Sequence, residues 1–303
     1  MITCGSVMST ASRPCPGCLS SAGTDIGDAN GYDIRRCGAC ATLFTAELPA
    51  AEAAKDYESF YAGERNLAVP AFVLGRLEET VSSLERYRSL NRWLDIGCGT
   101  GTLLRAVRNK RWNGVGTEVA PAAVQAVRAA GLEVRLGETG DLDLPAAGFD
   151  VVSMIEVIEH VRDPHALLRE AARLVRPGGA LYLTTPHGRG VCARLLGASW
   201  SVVTPPDHLQ LLSIGGLRAA LERAGFVVRS VSTHGLNPYE LAAGLRSGRV
   251  RTTTHSNTET SYRLNESLST RRSGVIVKRA VNGVLTTVRL GDTLKVVAER
   301  PGP

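Results

Sequence analysis

Two stretches of the chain carry residue types at spacings that can do chemistry. In Trp93-Leu94-Asp95-Ile96-Gly97-Cys98-Gly99-Thr100-Gly101 an apolar run ends in an acid, and glycines follow at alternate positions. Glycine has no Cβ, so the backbone can turn sharply there and a ligand can come close to it. A dinucleotide fingerprint, G-x-G-x-x-G, would need its last glycine at position 102, where Thr102 stands. The pattern is instead D-x-G-x-G-x-G, and Glu118 closes the next apolar stretch, Val115-Gly116-Thr117. Asp95 is placed to organise a ligand ammonium. Glu118 is placed to take two ribose hydroxyls, as carboxylates do at the end of the second strand in such folds. S-adenosylmethionine offers both groups and has no pyrophosphate.

The second stretch is Glu156-Val157-Ile158-Glu159-His160. If it is helical, its first, fourth and fifth residues share a face. Glu156, Glu159 and His160 could then hold Mg²⁺ or Mn²⁺ and leave positions for substrate oxygens. Histidine is also the usual base near neutral pH, and His160, His187, His208 and His234 all fall around the expected cleft. A sulfonium methyl is already electrophilic, so the protein must align the acceptor and, for a hydroxyl, remove its proton.

A third group is structural. Cys15, Cys18, Cys37 and Cys40 have the spacing C-x2-C-x18-C-x2-C of a four-cysteine zinc site. Four thiolates complete a tetrahedron and leave no open position, so this zinc would be structural. Between the pairs lie turn residues (Gly27, Asp28, Asn30, Gly31) and a short strand, Tyr32 to Arg35, which suits a ribbon. With only Arg13, Arg35 and Arg36 nearby and few aromatics, the ribbon argues against nucleic acid as a partner.

Elements must position these groups. The run Trp93 to Gly101 followed by Leu103, Leu104 and Val107 reads as a strand, a tight turn and a helix. Leu74, Leu77, Val81 and Leu84 make a helical core stripe within a helical lead-in. Pro121 to Ala130 is a helix and Leu132 to Leu136 a strand. Phe149 to Met154 is an apolar, buried strand. A helix from Pro164 to Val175 is expected to stop at Arg176-Pro177-Gly178-Gly179, before a strand from Leu181 to Pro186. Leu294 to Ala298 is the closing strand. The alternation predicts an α/β, doubly wound sheet with its ligand at the carboxyl ends of the strands.

These motifs, in this order from about Tyr57 to the C-terminus, resemble the class I S-adenosylmethionine-dependent methyltransferases and, within them, the ubiquinone-biosynthesis-like O-methyltransferase group. The resemblance implies a seven-stranded Rossmann-like sheet with Gly97, Cys98, Gly99 and Gly101 forming the cofactor turn. It implies that an aromatic of the pair Tyr57 and Tyr61 covers the cofactor, with Tyr61 in contact. It also places Glu138, or its neighbour Asp141, at the adenine amino group, and Ile155 and Glu156 beside the cofactor. In ubiquinone-type and small-RNA 2′-O-methyltransferases E-x-x-E-H is a metal site; other relatives carry it without a known metal, where it orients the cofactor and caps a helix. A P-x-H-L resemblance sets His208 on the acceptor side of the fifth strand, with helix capping near Ser213 as its other reading. His187 follows that strand where relatives often have Asn. The ribbon resembles those preceding the catalytic domain of some bacterial small-molecule and glycan methyltransferases.

The expected organisation is a disordered tail (1–12), a zinc ribbon (13–45), a helical lead-in that lids the cofactor (46–90), and a methyltransferase core (91–235) with a substrate loop at 186–213. A basic insertion (236–291) and a final strand (292–303) follow. The Thr/Ser-rich patch Thr252 to Ser261 reads as mobile, and Trp200, Pro205, Pro206 and His208 read as parts of a lid. From Leu241 to Pro303 eleven Lys or Arg face four acids, whereas the whole chain of 303 residues carries +6. That basic region could meet an acidic substrate, a phosphorylated headgroup or nucleic acid, or be a solvated face. No apolar run is long enough to span a bilayer and the N-terminus lacks a signal-peptide core, so a cytoplasmic protein is expected. Seven cysteines there point to metal or chemistry rather than disulfides.

The residues point to methylation of a hydroxyl on a sugar, glycan or other secondary metabolite, with nitrogen or carbon methylation as the alternative enzyme reading. From another class comes a zinc-ribbon nucleic-acid-binding protein using the sheet as scaffold, against which the Asp95/Glu118 pair speaks. A nicotinamide-dependent oxidoreductase is disfavoured by Thr102.

Overall fold

The computed structural model describes residues 13–50, 71–236, 240–242 and 283–302. Three short strands come first, β1 (Gly23–Ala29), β2 (Tyr32–Cys37) and β3 (Leu43–Thr45). The alternating part follows: α1 (Ala71–Ser83), β4 (Arg92–Ile96), α2 (Thr102–Asn109), β5 (Asn113–Glu118), α3 (Pro121–Ala129) and β6 (Glu133–Leu136). It continues with β7 (Phe149–Ile155), α4 (Pro164–Leu174), β8 (Val175–Pro186), α5 (Val191–Leu196), β9 (Gln210–Leu211) and α6 (Ile214–Arg223). Strands β10 (Val227–His234) and β11 (Thr293–Glu299) complete the order. Tyr57, Tyr61, the tail 1–12 and most of the basic insertion, including Thr252 to Ser261, lie outside the described residues.

The central sheet has seven strands in the order β10-β11-β8-β7-β4-β5-β6. Strand β4 pairs in parallel with β5 on one side and β7 on the other. Chain order runs outward from β4 through β5 and β6 on one side and through β7 and β8 on the other, and the crevice outside its carboxyl end is where such sheets bind ligands. Strand β11 runs antiparallel between β8 and β10. This is the doubly wound α/β architecture the strand–helix rhythm predicts.

Both faces of the sheet are covered. Val81 and Leu84 are buried against Trp93, Leu103, Val107 and Trp112, with Leu74 and Leu77 packed alongside, so the stripe of α1 is core. Trp93 and Trp112 meet edge-to-face with centroids 5.3 Å apart, an arrangement that adds to their area burial. The opposite face buries Leu168 and Leu174 of α4 with Leu217 and Leu221 of α6. Strand β7 is buried from Phe149 to Met154, as a parallel strand covered on both faces must be.

One expected boundary moves. Arg176-Pro177-Gly178-Gly179 does not separate a helix from a strand; β8 already begins at Val175, which pairs with Phe149. A Cβ on Gly179 would lie 2.7 Å from the Asp150 carbonyl, so glycine lets β8 press onto β7 there. Arg176 Nε donates to Asp150 at 2.6 Å, and the same carboxylate accepts backbone N–H groups of Ser89, Leu90 and Arg92. Burial pushes the Asp150 carboxyl up, but these donors outweigh it and hold it below the usual carboxylate range.

The N-terminal strands form a second sheet, and it does not stand apart from the core. Strands β1 and β2 form a hairpin turning at Asn30 and Gly31, both at positive φ; Gly27 sits within β1 at a bulge, not in the turn. The sheet order is β1-β2-β3-β9, so its fourth strand comes from the segment that follows β8. Trp200 is buried with Ile34, Leu43, Cys192 and Leu211 between ribbon and core, a packing role rather than that of a lid aromatic.

Candidate active site

The glycine turn sits at the carboxyl end of β4. Gly97, Gly99 and Gly101 have φ of +65°, +52° and +76°, and Gly101 is the residue before α2. A Cβ on Gly97 would lie 2.7 Å from Val157 Cγ2, so the turn is also packed against the Glu156–His160 stretch. Cys98 packs its thiol toward Gly116, where a Cβ would come within 2.5 Å of its sulfur, and its N–H donates to the Thr117 carbonyl. Burial pushes that thiol's pKa up.

Asp95, 3% exposed, accepts a hydrogen bond from Ser153 Oγ at 2.7 Å, and Ser153 in turn accepts from Trp93 Nε1 at 2.8 Å. Burial pushes its carboxyl up to about 7, and the Glu118 charge adds to this against the Ser153 bond. A bound cation would favour the ionised form of this carboxyl, and the ammonium of S-adenosylmethionine is one. Glu118 ends β5 and ties the turn together. One carboxylate oxygen accepts from Gly99 N at 2.9 Å; the other accepts from Val119 N at 2.8 Å and Ala120 N at 3.0 Å. A carboxylate has about four lone-pair sites, so one remains for a ribose hydroxyl and a second hydroxyl would share an oxygen already engaged. Glu138 and Asp141 are both exposed at the end of β6, around a short 3₁₀ turn (Thr139–Asp141).

The E-x-x-E-H stretch is not helical, which changes which side chains meet. Strand β7 ends at Ile155, which is partly buried; Glu156 has φ +54°, and a turn follows in which His160 N donates to Val157 O at 3.0 Å. The shared helical face expected for Glu156, Glu159 and His160 therefore does not exist. The ligand atoms that gather within 4.8 Å of one another belong to Glu159, His160 and His208. Glu156 is exposed and accepts from Thr184 Oγ1 at 2.8 Å, while the fully buried Glu159 accepts from Thr185 Oγ1 at 2.9 Å. Burial, reinforced by the Glu156 charge, pushes Glu159 well above the carboxylate range. Its other oxygen is buried without a hydrogen-bond partner.

The histidines separate into two kinds. His208 Nδ1 lies 2.6 Å from Val202 O, and its ring packs edge-on against His160 at 4.6 Å. His160 Nδ1 lies 3.0 Å from Asp207 O and 2.9 Å from Asp207 Oδ1. In each ring an Nδ1–H donating to oxygen leaves Nε2 as the acceptor nitrogen. Asp207 thus orients His160. Helix α6 is capped by Ser213, whose Oγ accepts from Gly216 N, so His208 does not cap it. His187 is different: it is buried, its Nδ1 donates to Gly291 O at 2.9 Å, and burial lowers its pKa to about 4. It ties the end of β8 to the start of β11 as a neutral ring.

The four ribbon cysteines are brought together as the spacing requires. Their sulfurs lie within 4.8 Å of one another, with Cys15–Cys40 and Cys18–Cys37 each at 3.5 Å. A tetrahedron with Zn–S of about 2.3 Å has S···S edges of about 3.8 Å, so the set fits zinc. A disulfide would need about 2 Å, and all four thiols are free.

Ser153, Thr184, Thr185 and Gln210 were not singled out in the sequence. The signal for the threonines was there: two hydroxyl residues close an otherwise apolar strand.

A family model described as a methyltransferase domain matches residues 63–231, more than half of the chain. A ubiquinone biosynthesis O-methyltransferase from Xanthomonas axonopodis pv. citri is 31% identical over 185 residues, 57% of this chain and 77% of that protein. One from Cereibacter sphaeroides is 33% identical over 162 residues, and the chain spans 65% of its length. Relatives of the same name from Xanthomonas oryzae pv. oryzae are matched over 42% of their length. Among solved structures, a Haloferax volcanii methyltransferase in complex with the Trm112 methyltransferase activator aligns with TM-score 0.53 at 21% identity, over 81% of this chain and 98% of that one. A SAM-dependent methyltransferase from Archaeoglobus fulgidus aligns with TM-score 0.53 at 16% identity, over 81% of this chain and all of that one. These two share the fold. The sheet order, the glycine turn with its two acids and the match across both leave one assignment: this chain belongs to the class I S-adenosylmethionine-dependent methyltransferases.

Proposed function

We propose that this protein transfers a methyl group from S-adenosylmethionine to a hydroxyl of a small acceptor, a sugar, glycan or other secondary metabolite. The observation that carries the reading is the Glu159–His160–His208 cluster beside the glycine turn, because an oxygen acceptor must lose a proton. Bound S-adenosylmethionine supplies an electrophilic methyl on a sulfonium. Asp95 would hold its ammonium, Glu118 its ribose hydroxyls, and Glu138 or Asp141 its adenine. His208, tautomerised by Val202 O, would take the acceptor proton at Nε2. The similar ubiquinone biosynthesis proteins are O-methyltransferases, which supports oxygen over nitrogen or carbon. Incubating the protein with labelled S-adenosylmethionine and hydroxylated acceptors tests the reading. Base-stable, ether-type methyl incorporation is expected, and label found only on amines or carbon would reject oxygen as the target.

A second reading of the same cluster has its own observation. Glu159, His160 and His208 present three ligand atoms within 4.8 Å, and one Glu159 oxygen is buried without a partner. Two imidazoles and a carboxylate would suit Mn²⁺ or Mg²⁺, with Asp207 accepting from the other ring nitrogen of His160 and so fixing its orientation. The ion would act as a Lewis acid on the acceptor oxygen. The ribbon cysteines would hold one structural zinc.

The raised pKa of Asp95 gives this site a pH signature. In the cofactor-free chain the protonated form is favoured by folding, so the stability this group contributes is lost as pH rises toward 7. The ligand ammonium favours the ionised form, so cofactor affinity should rise with pH up to about 7 and then level. The limiting slope is about tenfold per pH unit. Calorimetric titrations between pH 5.5 and about 7.5 read this, and Asp95→Asn should flatten the profile. A wild-type affinity that falls across that range contradicts the role given to Asp95.

A further inference from the structure

The ribbon ends on a strand that belongs to the catalytic half of the chain. Strand β9 pairs Leu43 with Leu211 and Phe44 with Gln210, directly after His208. Gln210, 1% exposed, aims its amide away from the ribbon and into the E-x-x-E-H turn. Its Nε2 donates to Ile158 O at 2.7 Å and to Val161 O at 2.8 Å, one on each side of Glu159 and His160. Its Oε1 accepts from Arg13 Nη2 at 3.3 Å, and the same Arg13 nitrogen donates to Leu209 O at 2.5 Å. Arg13 Nε donates to Thr45 O at 2.9 Å, inside the ribbon sheet. Leu209 N, between these groups, donates to Glu159 O at 2.8 Å.

The other end of the segment is fastened to the metal knuckle. Ser213 N donates to Thr42 Oγ1 at 3.2 Å, Ser213 Oγ donates to Cys40 O, and Thr42 Oγ1 lies 3.2 Å from Cys40 Sγ. At the hairpin tip, Asn30 Nδ2 donates to Pro205 O at 2.8 Å. The stretch 205–213, which bears Asp207 and His208, is therefore held by the ribbon at both ends and in the middle. A buried amide that satisfies two turn carbonyls is costly to remove, since both would be left without donors.

We propose that the ribbon is the positioning element of the acceptor site. Through Arg13 and Gln210 it fixes the turn carrying Glu159 and His160 against His208, and the ribbon's metal ligation sets that anchor. The inference rests on the reading of this cluster as the acceptor-activating site. Arg13 and Gln210 act through other residues and are positioning residues. A shift of about 1 Å in such a constellation lowers turnover by about 10²-fold.

The test uses the full chain and three variants, Cys37→Ser, Arg13→Ala and Gln210→Leu. Metal analysis should return about one zinc per wild-type chain and none in Cys37→Ser. Hydrogen exchange of residues 156–161 should quicken by about tenfold or more in all three variants. Cofactor affinity should stay within about threefold by calorimetry, since Asp95 and Glu118 hang on other strands. Turnover should fall about 10²-fold with the cofactor KM little changed, and Arg13→Lys, which keeps a donor, should recover most of it. Should Cys37→Ser fail to fold, the two variants that keep all four thiols decide. Unchanged exchange at 156–161 in Arg13→Ala and Gln210→Leu overturns the proposal, and so does faster exchange with wild-type turnover. Failure of the underlying reading shows elsewhere, as full turnover in His208→Ala, because the exchange measurement needs no acceptor.

Discussion

Replacing His208 with alanine is expected to lower turnover by about 10²-fold or more while S-adenosylmethionine affinity is unchanged. The size follows from what the ring does and where it sits. Its Nδ1 is committed to Val202 O at 2.6 Å, so the basic nitrogen is Nε2, beside the His160 ring and the Glu159 carboxyl. Alanine removes the proposed proton acceptor and leaves Asp95 and Glu118 untouched. The two readings of the cluster separate under chelation. If His208 is the base, EDTA leaves turnover intact so long as metal analysis shows the ribbon zinc retained. If the cluster holds a divalent ion, EDTA abolishes it, Mg²⁺ or Mn²⁺ restores it, and Glu159→Gln is as damaging as His208→Ala. Full activity in both variants contradicts both. His187 would be a poor substitute, since a ring lowered to about 4 and donating to Gly291 O is a weak base at neutral pH.

Glu118→Ala is expected to weaken S-adenosylmethionine binding by about 1–3 kcal/mol, the cost of losing a charged hydrogen-bond partner. The same carboxylate accepts three backbone N–H groups, from Gly99, Val119 and Ala120, so its loss also loosens the turn that faces the ligand. The effect should appear in Kd and in the cofactor KM, whereas His208→Ala acts on kcat. Wild-type affinity in Glu118→Ala would remove Glu118 from the site.

Much of the fold could be read from residue type and spacing. Asp95, the three glycines and Glu118 stand where a strand, a turn and a second strand put them, because each is dictated by local geometry: positive φ at the glycines, an acid at a strand end. The four cysteines were equally legible, since tetrahedral sulfur coordination fixes their spacing. Less legible was anything set by packing between distant segments. Glu156 takes φ +54°, which no helical pattern anticipates, and the turn that follows brings Glu159 and His160 to His208 while the Glu156 carboxyl stays close enough to act on Glu159. Arg176-Pro177-Gly178-Gly179 looks like a helix stop, yet the glycine there serves close approach of β8 to the Asp150 carbonyl. Trp200 reads as a lid until Ile34 and Leu43 of the ribbon are seen against it. The pairing of β3 with β9 joins residues more than 160 positions apart, and two-residue strands leave no periodicity to find.

The central claim is that the carboxyl end of β4 binds S-adenosylmethionine through Asp95, the glycine turn and Glu118. Calorimetric titration of the wild-type chain with S-adenosylmethionine, repeated with S-adenosylhomocysteine as competitor and with NAD as control, tests it most directly. The account predicts saturable binding of about one S-adenosylmethionine per chain, competition by S-adenosylhomocysteine, and no heat from NAD. Binding of NAD in preference to S-adenosylmethionine, or no S-adenosylmethionine binding by folded protein, would contradict it.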